Sequence, residues 1–316
     1  MRKLISSVIS AILFSGLAVA AWAYEPLSAL PPIPADNSLT TEKIELGKML
    51  FFDPRVSGSN WISCATCHNP SLAFTDRLPR AFGHKMQEGP RNTPTVLNSA
   101  FLKTQFWDGR AATLEEQALG PIQAPIEMSA NLEDIVTKLK GIEGYRRMFT
   151  EVFGTADPIT AKNIAKAIAA FERSLITPDT PFDRYLSGDQ SAISEAAKSG
   201  AEQFEKLGCA GCHTGAAFSD GTFHRIKVPG SVDEGRFNVT KKDEDKSSFR
   251  TPTLRNVELT APYMNNGAVA TLEEAVKVMG KEAISTDLTE KQVSDLIAFL
   301  KSLTGKMPKF DYPILP

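Results

Sequence analysis

Every cysteine in the chain falls into one of two frames, Cys64-Ala65-Thr66-Cys67-His68 and Cys209-Ala210-Gly211-Cys212-His213. Two thiols one helical turn apart, followed at once by an imidazole, form the pattern that attaches a c-type haem. The sulfurs reach two vinyl groups of one macrocycle, and the histidine faces the iron from the proximal side. Other uses fit less well. A four-cysteine zinc ribbon places its pairs about 15–20 residues apart, far closer than Cys67 and Cys209. Structural disulfides need no histidine after each pair. A thioredoxin-like pair would sit in a βαβ pattern, which is absent. The frames predict two covalent haems and no disulfide.

The start of the chain points to export. Arg2 and Lys3 precede an uncharged, mostly apolar stretch from Leu4 to Val19, and Ala21-Trp22-Ala23 offers a small-x-small cleavage site before Tyr24. Residues 1–23 are expected to be a cleaved signal peptide, and the periplasm the working compartment. Nothing further along is apolar enough to span a membrane, so no stable membrane insertion is expected. No cysteine follows the cleavage site to carry a lipid. With 42% hydrophobic and 23% charged residues, the chain reads as globular rather than disordered. Thirty-five basic residues against 37 acidic ones, without a basic run, give no nucleic-acid footprint.

The 316 residues suggest about two domains, and an internal duplication says how they arose. Arg91-Asn92-Thr93-Pro94-Thr95-Val96-Leu97-Asn98 echoes Phe249-Arg250-Thr251-Pro252-Thr253-Leu254-Arg255-Asn256. Downstream, Thr113-Leu114-Glu115-Glu116 matches Thr271-Leu272-Glu273-Glu274, with Gly109 and Gly267 ahead of them. Each set follows one haem frame, so the chain reads as a fused pair of homologous haem domains.

Periodicity predicts a mainly α fold. Ile164, Ile168, Phe171 and Leu175 share one helical face after an N-cap at Thr160. Val293, Leu296, Ile297, Leu300 and Leu303 do the same, with Thr289 and Gln292 placed as a capping box. Ala197, Ala201 and Phe204 stripe a helix ending at Gly208. Stretches 76–95, 120–131 and 214–250 read as loops. The boundary is expected near Pro178–Gly188. This gives an N-terminal haem domain over 24–180, a C-terminal one over 181–306, and an irregular tail over 307–316 lying back on the first domain.

The second ligand of each iron separates electron transfer from catalysis, because only an openable position allows oxygen chemistry. After the first frame the free imidazole is His84, with Met86 beside it. After the second, the candidates are Met264, Met279 and His224. Met279 precedes the last amphipathic helix, and His224 lies in a polar loop.

Further landmarks are Leu46-Gly47-Lys48-Met49-Leu50-Phe51-Phe52-Asp53-Pro54-Arg55, Gly83-His84 through Pro90, and Gln105-Phe106-Trp107-Asp108-Gly109-Arg110. Glu127-Met128, Thr251 through Asn256, Val278-Met279-Gly280 and Pro313-Ile314-Leu315-Pro316 complete them. In these landmarks, their order and their spacing the sequence resembles the bacterial di-haem cytochrome c peroxidases over nearly all of the exported chain.

The resemblance implies that the haem on Cys64 and Cys67, with proximal His68, is the low-potential peroxidatic one, and that His84 is its removable ligand. It implies that the haem on Cys209 and Cys212, held by His213 and Met279, is the high-potential one that receives electrons. Trp107 matches the tryptophan between the haems, and Glu127 and Gln117 match the distal-pocket residues. Asn92, through its side chain, and Thr260 and Pro262, through their carbonyls, match a calcium site between the domains. A homodimer is implied too. Asn265 departs from the pattern, because a histidine commonly stands there.

Hydrogen peroxide is then the expected substrate, and a small cytochrome c or a blue copper protein the electron donor. A carboxylate such as Glu127 suits the proton transfer between the peroxide oxygens. Two other readings compete: a di-haem oxidase of the tryptophan-cofactor maturation type, in which tyrosine replaces the methionine ligand, and a two-haem electron carrier. Met279 and His84 argue against the first. Glu127, Gln117 and the long first-domain loops argue against the second.

Overall fold

The computed structural model describes residues 23–154 and 156–316. The expected signal peptide, except for Ala23, lies outside them. The helices in chain order are α1 (Thr41–Phe52), α2 (Cys64–Cys67), α3 (Leu114–Gln123), α4 (Leu132–Lys140), α5 (Glu143–Phe153) and α6 (Ala161–Ser174). They continue as α7 (Pro181–Leu186), α8 (Glu195–Lys206), α9 (Phe237–Thr240), α10 (Leu272–Ile284) and α11 (Glu290–Lys301). β1 (Phe223–Arg225) and β2 (Ser248–Arg250) form an antiparallel pair with His224 opposite Phe249.

The helix starts follow from their caps. Thr160 accepts from the Asn163 N–H at α6, and Thr289 and Gln292 close a capping box at α11. Thr113 and Thr271, the duplicated residues, cap α3 and α10 through the Glu116 and Glu274 N–H groups.

Each half is built on a crossed helix pair, α1 on α6 and α8 on α11. Both crossings are close enough to require glycine. A methyl group on Gly47 would collide with the Ala167 carbonyl, and one on Gly200 with the Asp295 carbonyl. Each glycine is followed one turn later by a phenylalanine that packs edge-on against the partner helix. Phe51 meets Phe171 at 5.2 Å and Phe204 meets Phe299 at 5.2 Å. Around these pairs lie two separate apolar cores, one centred on Phe51, Phe149 and Phe171, the other on Phe182, Phe218 and Phe299.

The chain ends are exchanged between the cores. Tyr24 belongs to the second core, stacked on Phe218 at 4.8 Å, and the Leu27 N–H donates to Asp183. Met307 and Phe310 pack on the first core, where Phe310 stands edge-on to Phe171 at 5.7 Å.

Two loop expectations need correction, and the expected boundary region contains a short helix. Residues 120–123 continue α3 through Pro121, and only the rest of 120–131 is irregular. Proline removes one internal hydrogen bond, but the following turn satisfies the helix end: Met128 N–H donates to the Pro121 carbonyl and Ala130 N–H to that of Ile122. The prolines and glycine of 178–188 surround a short helix, because Pro181 occupies the first turn of α7 beneath a Thr180–Asp183 capping box. Within 214–250 lie β1, α9 and β2.

Candidate active site

The first frame opens with Ser63, whose N–H donates to Thr66 Oγ1 at 3.0 Å and starts α2. His68 then leaves the helix, and its Nδ1 donates to the Phe74 carbonyl at 3.1 Å. In the second frame His213 Nδ1 donates to the Phe218 carbonyl, also at 3.1 Å. Each bond fixes the ring and leaves Nε2 as the free ligand atom, as a ligating imidazole requires. Burial lowers the pKa of both rings, which favours the neutral, ligating form.

None of the four cysteines is in a disulfide. Beside the second frame lies a cavity of about 340 Å³, with His213 and both cysteine residues among its walls and Met279 also lining it. Leu254, Val257, Val276 and Leu300 make the rest largely apolar. A flat apolar macrocycle with one histidine and one thioether ligand fits this donor set.

The Thr-Pro-Thr echoes support the proximal sides. Thr95 Oγ1 donates to the Ala73 carbonyl and Thr253 Oγ1 to the Ala217 carbonyl, both at 2.7 Å. Thr93 to Thr95 also line the second cavity, so one segment touches both sites.

The distal sides differ. Aligned on their threonine caps, α3 and α10 place Pro121 where Met279 stands. The first unit therefore has no ligand from its distal helix. Two loops meet beside it instead, the one carrying Gly83 and His84 and the one carrying Glu127. Gly83 presses on the second of them: a methyl group there would strike the Ile126 carbonyl and lie 2.7 Å from Glu127 Cα. His84 N–H donates to the Glu127 carbonyl at 2.7 Å, and His84 Nδ1 is buried without a hydrogen-bond partner among the described residues. A buried imidazole nitrogen without a hydrogen-bond partner is unusual in a folded protein, and iron ligation is one role such a ring can fill. Met86 is 63% exposed, which separates it from His84.

Among the described residues none is hydrogen-bonded to the Glu127 carboxyl, which lies near Cys67. Burial raises its pKa, and the Arg110 guanidinium pulls it part of the way back. Arg110 itself stacks 3.5 Å from the centre of the Phe106 ring.

Trp107 ties the halves together. Its Nε1 donates to the Asn92 carbonyl at 2.9 Å, and its carbonyl accepts from Arg250 N–H at 2.8 Å. Beside it Arg91 bridges Asp108 and Asp233, each at 2.6 Å. Asn265 closes this group, donating to Ser231 and Asp233 and accepting from Asn92 N–H.

Two family models match the chain: di-haem cytochrome c peroxidase over residues 41–191 and cytochrome c over 197–304. The cytochrome c551 peroxidase of Nitrosomonas europaea is 43% identical over 93% of this chain and 88% of its own length. That of Pseudomonas aeruginosa is 44% identical over 88% and 83%.

The chain belongs to the di-haem cytochrome c peroxidase family.

Not all relatives carry the peroxidase name. The methylamine utilization protein MauG of Methylorubrum extorquens is 41% identical over 90% of this chain and 84% of its own. The crystal structure of a MauG-like protein associated with microbial copper homeostasis superposes with a TM-score of 0.81, at 33% identity, over 88% of this chain and 94% of that one. As a di-haem cytochrome c peroxidase, the protein is an oxidoreductase carrying two c-type haems.

Within this di-haem peroxidase, His84 and Glu127 meet at the first frame, and Gln117 lies half-buried on α3. Asn92, Trp107, Thr260, Pro262 and Met279 line the second cavity. Met264 and His224 line it as well, so His224 is not merely a loop residue. It sits on β1, paired with Asp220 at 2.7 Å.

Sequence reasoning missed Asp76 and Asp220. Each stands two residues after the carbonyl that accepts from a proximal histidine, and Asp76 accepts from Thr93 Oγ1 at 2.8 Å. Burial opposes its charge, yet hydrogen bonds from Thr222, His224 and Thr251 hold Asp220 down at about 2. The signal was a third echo, Ala73-Phe74-Thr75-Asp76 against Ala217-Phe218-Ser219-Asp220.

Proposed function

We propose that this enzyme reduces hydrogen peroxide to water in the periplasm. Electrons come from a small redox protein, a cytochrome c or a blue copper protein. They arrive at the C-terminal haem and pass by Trp107 to the N-terminal one. The observation that carries this reading is the distal asymmetry: Met279 on α10, but Pro121 at the matching place on α3, with His84 and Glu127 supplied by loops. One half is closed for electron storage and the other can be opened for chemistry.

Bound haem supplies an iron position for peroxide and a store for electrons. The chain's own residues do the rest. His84, held only through a loop, vacates the pocket. Glu127 takes the proton from the inner peroxide oxygen and returns it to the outer one, a task suited to a carboxyl whose pKa burial has raised. Gln117 on α3 orients the peroxide. Asn92, Thr260 and Pro262 offer oxygen atoms to a calcium ion beside Trp107.

The working chain runs from Tyr24 after removal of 1–23. It divides into 24–180 and 181–306, with 307–316 strapped to the first unit, and pairs as a homodimer. The reading is tested by steady-state peroxide consumption with a reduced small cytochrome c. Oxidation of two cytochromes per peroxide is expected. Two-haem protein that exchanges electrons with the cytochrome but leaves peroxide untouched would sink it.

A further inference from the structure

On the proximal side of the first frame the chain builds a second feature that the peroxide reaction does not use. The segment leaving His68 turns at Pro70 and Ser71, and the C-terminal tail runs alongside. Between them lies an open groove of about 520 Å³, lined by Pro70, Ser71, Lys309, Phe310 and Tyr312. The groove is open, so it would hold a small ring against its wall rather than enclose it. Tyr312 is 62% exposed, and its hydroxyl lies 3.4 Å from Ser71 Oγ.

The exposed phenol is joined to the proximal histidine by ring contacts. Tyr312 packs edge-on against Phe52 at 5.5 Å, Phe52 lies 5.6 Å from Phe51, and Phe51 lies 6.5 Å from the His68 ring. A second row runs from Tyr312 to Phe310 at 6.0 Å and on to Phe74 at 6.1 Å, whose carbonyl accepts from His68. An electron moving along either row would cross only van der Waals gaps between neighbouring rings. Tyrosine is the member of this set that can be oxidised by losing an electron and its phenolic proton together.

We infer that Tyr312 and this groove form a second reducing port, where a small phenol delivers single electrons to the first haem without passing through the second. The inference rests on the peroxide-reducing reading above. Its balance closes. Hydrogen peroxide takes up two electrons and two protons and becomes two waters. For each electron, Tyr312 passes one inward and its phenolic proton to water. A phenol in the groove, its ring against Phe310 and Tyr312, then gives its O–H hydrogen atom to restore Tyr312. Two phenols leave as two phenoxyl radicals.

The test uses the full-length exported holoenzyme with guaiacol as the phenol and reduced small cytochrome c as the protein donor. Tyr312→Phe is compared with Trp61→Phe, since Trp61 is another exposed aromatic, 51% exposed, three residues before this frame. Tyr312→Phe should lower peroxide-dependent guaiacol oxidation by about tenfold or more, a loss read from kcat/KM. Cytochrome-driven turnover should stay unchanged, and Trp61→Phe should leave both intact. A freeze-quenched sample given peroxide without donor should show a tyrosyl radical in the parent enzyme and none in Tyr312→Phe. Guaiacol turnover that is untouched by Tyr312→Phe, lost in Trp61→Phe, or missing from a parent enzyme active with cytochrome overturns the port. A parent enzyme that reduces peroxide with neither donor overturns the peroxidase reading instead.

Discussion

Asn98 and Asn256 donate their side-chain amides to the same hydroxyl, Thr177 Oγ1, each at 2.8 Å. They are the closing residues of the two Thr-Pro-Thr echoes, both left-handed in backbone, with φ of 60° and 61°. Their N–H groups reach Leu175 and Leu303, which places a pseudo-twofold axis between the ends of α6 and α11. On that axis there is room for one side chain. Thr177 fills it, and at the matching position stands Gly305, where a methyl group would lie 2.5 Å from the Thr177 carbonyl oxygen.

Thr177→Val is expected to leave two buried amides without an acceptor, at about 1–3 kcal/mol for each. Thr177→Ser should behave as the parent does. The midpoint of urea unfolding of the holoprotein reads the difference, and an unmoved midpoint in Thr177→Val would remove the hydroxyl from its central role.

Glu127→Gln should lower peroxide turnover by about 10²–10⁴-fold while both haem spectra persist. The pH profile gives the sign. Burial raises this carboxyl's pKa and Arg110 lowers it, so removing the cation in Arg110→Ala raises it further. Because the carboxylate must first accept a proton, the acid limb of the rate profile should move to higher pH in Arg110→Ala. A limb that moves down or stays would show that Glu127 is not the titrating group.

Met279→His should leave both haems attached and lower the reduction potential of the second one, since a thioether favours ferrous iron more than an imidazole does. Potentiometric titration separates the two haems. If the second potential does not move, Met264, which lines the same cavity, becomes the ligand to examine.

Glu172 on α6 should set a slope in stability against pH. Burial pushes its pKa up from 4.5 to about 8, with Arg173 opposing and Glu115 adding to the rise, and its Oε2 has no hydrogen-bond partner among the described residues. The folded chain keeps this proton after an unfolded chain has released it. Stability therefore falls as pH rises from about 4.5 to about 8. Glu172→Gln should flatten that slope and be more stable than the parent at pH 8, by thermal unfolding across the range. A slope that survives the substitution would assign it elsewhere.

The haem frames and the duplication were legible because attachment chemistry and the Thr-Pro-Thr contacts tolerate little substitution. The crossed helix pairs were only partly so. The α6 and α11 stripes show in the sequence, but Gly47 and Gly200 sit in unlike surroundings, and only the close backbone approach reveals them as equivalents. Pro121 read as the start of a loop, because its carbonyl and that of Ile122 are satisfied by residues further on. The Trp107 bridge to Asn92 and Arg250 joins residues far apart in the chain, and no local pattern encodes such a contact.

The exchange of chain ends between the two cores has a consequence for how the molecule can be taken apart. Tyr24 is a wedge in the second core and Phe310 a wedge in the first. Each half is thus finished by a peptide that belongs, in sequence, to the other. A cut in the connection before α7 would yield two fragments that each lack a wedge and carry the neighbour's spare. Such fragments should reassemble with one another rather than persist as two small free cytochromes, so the duplication survives here as two interlocked pieces.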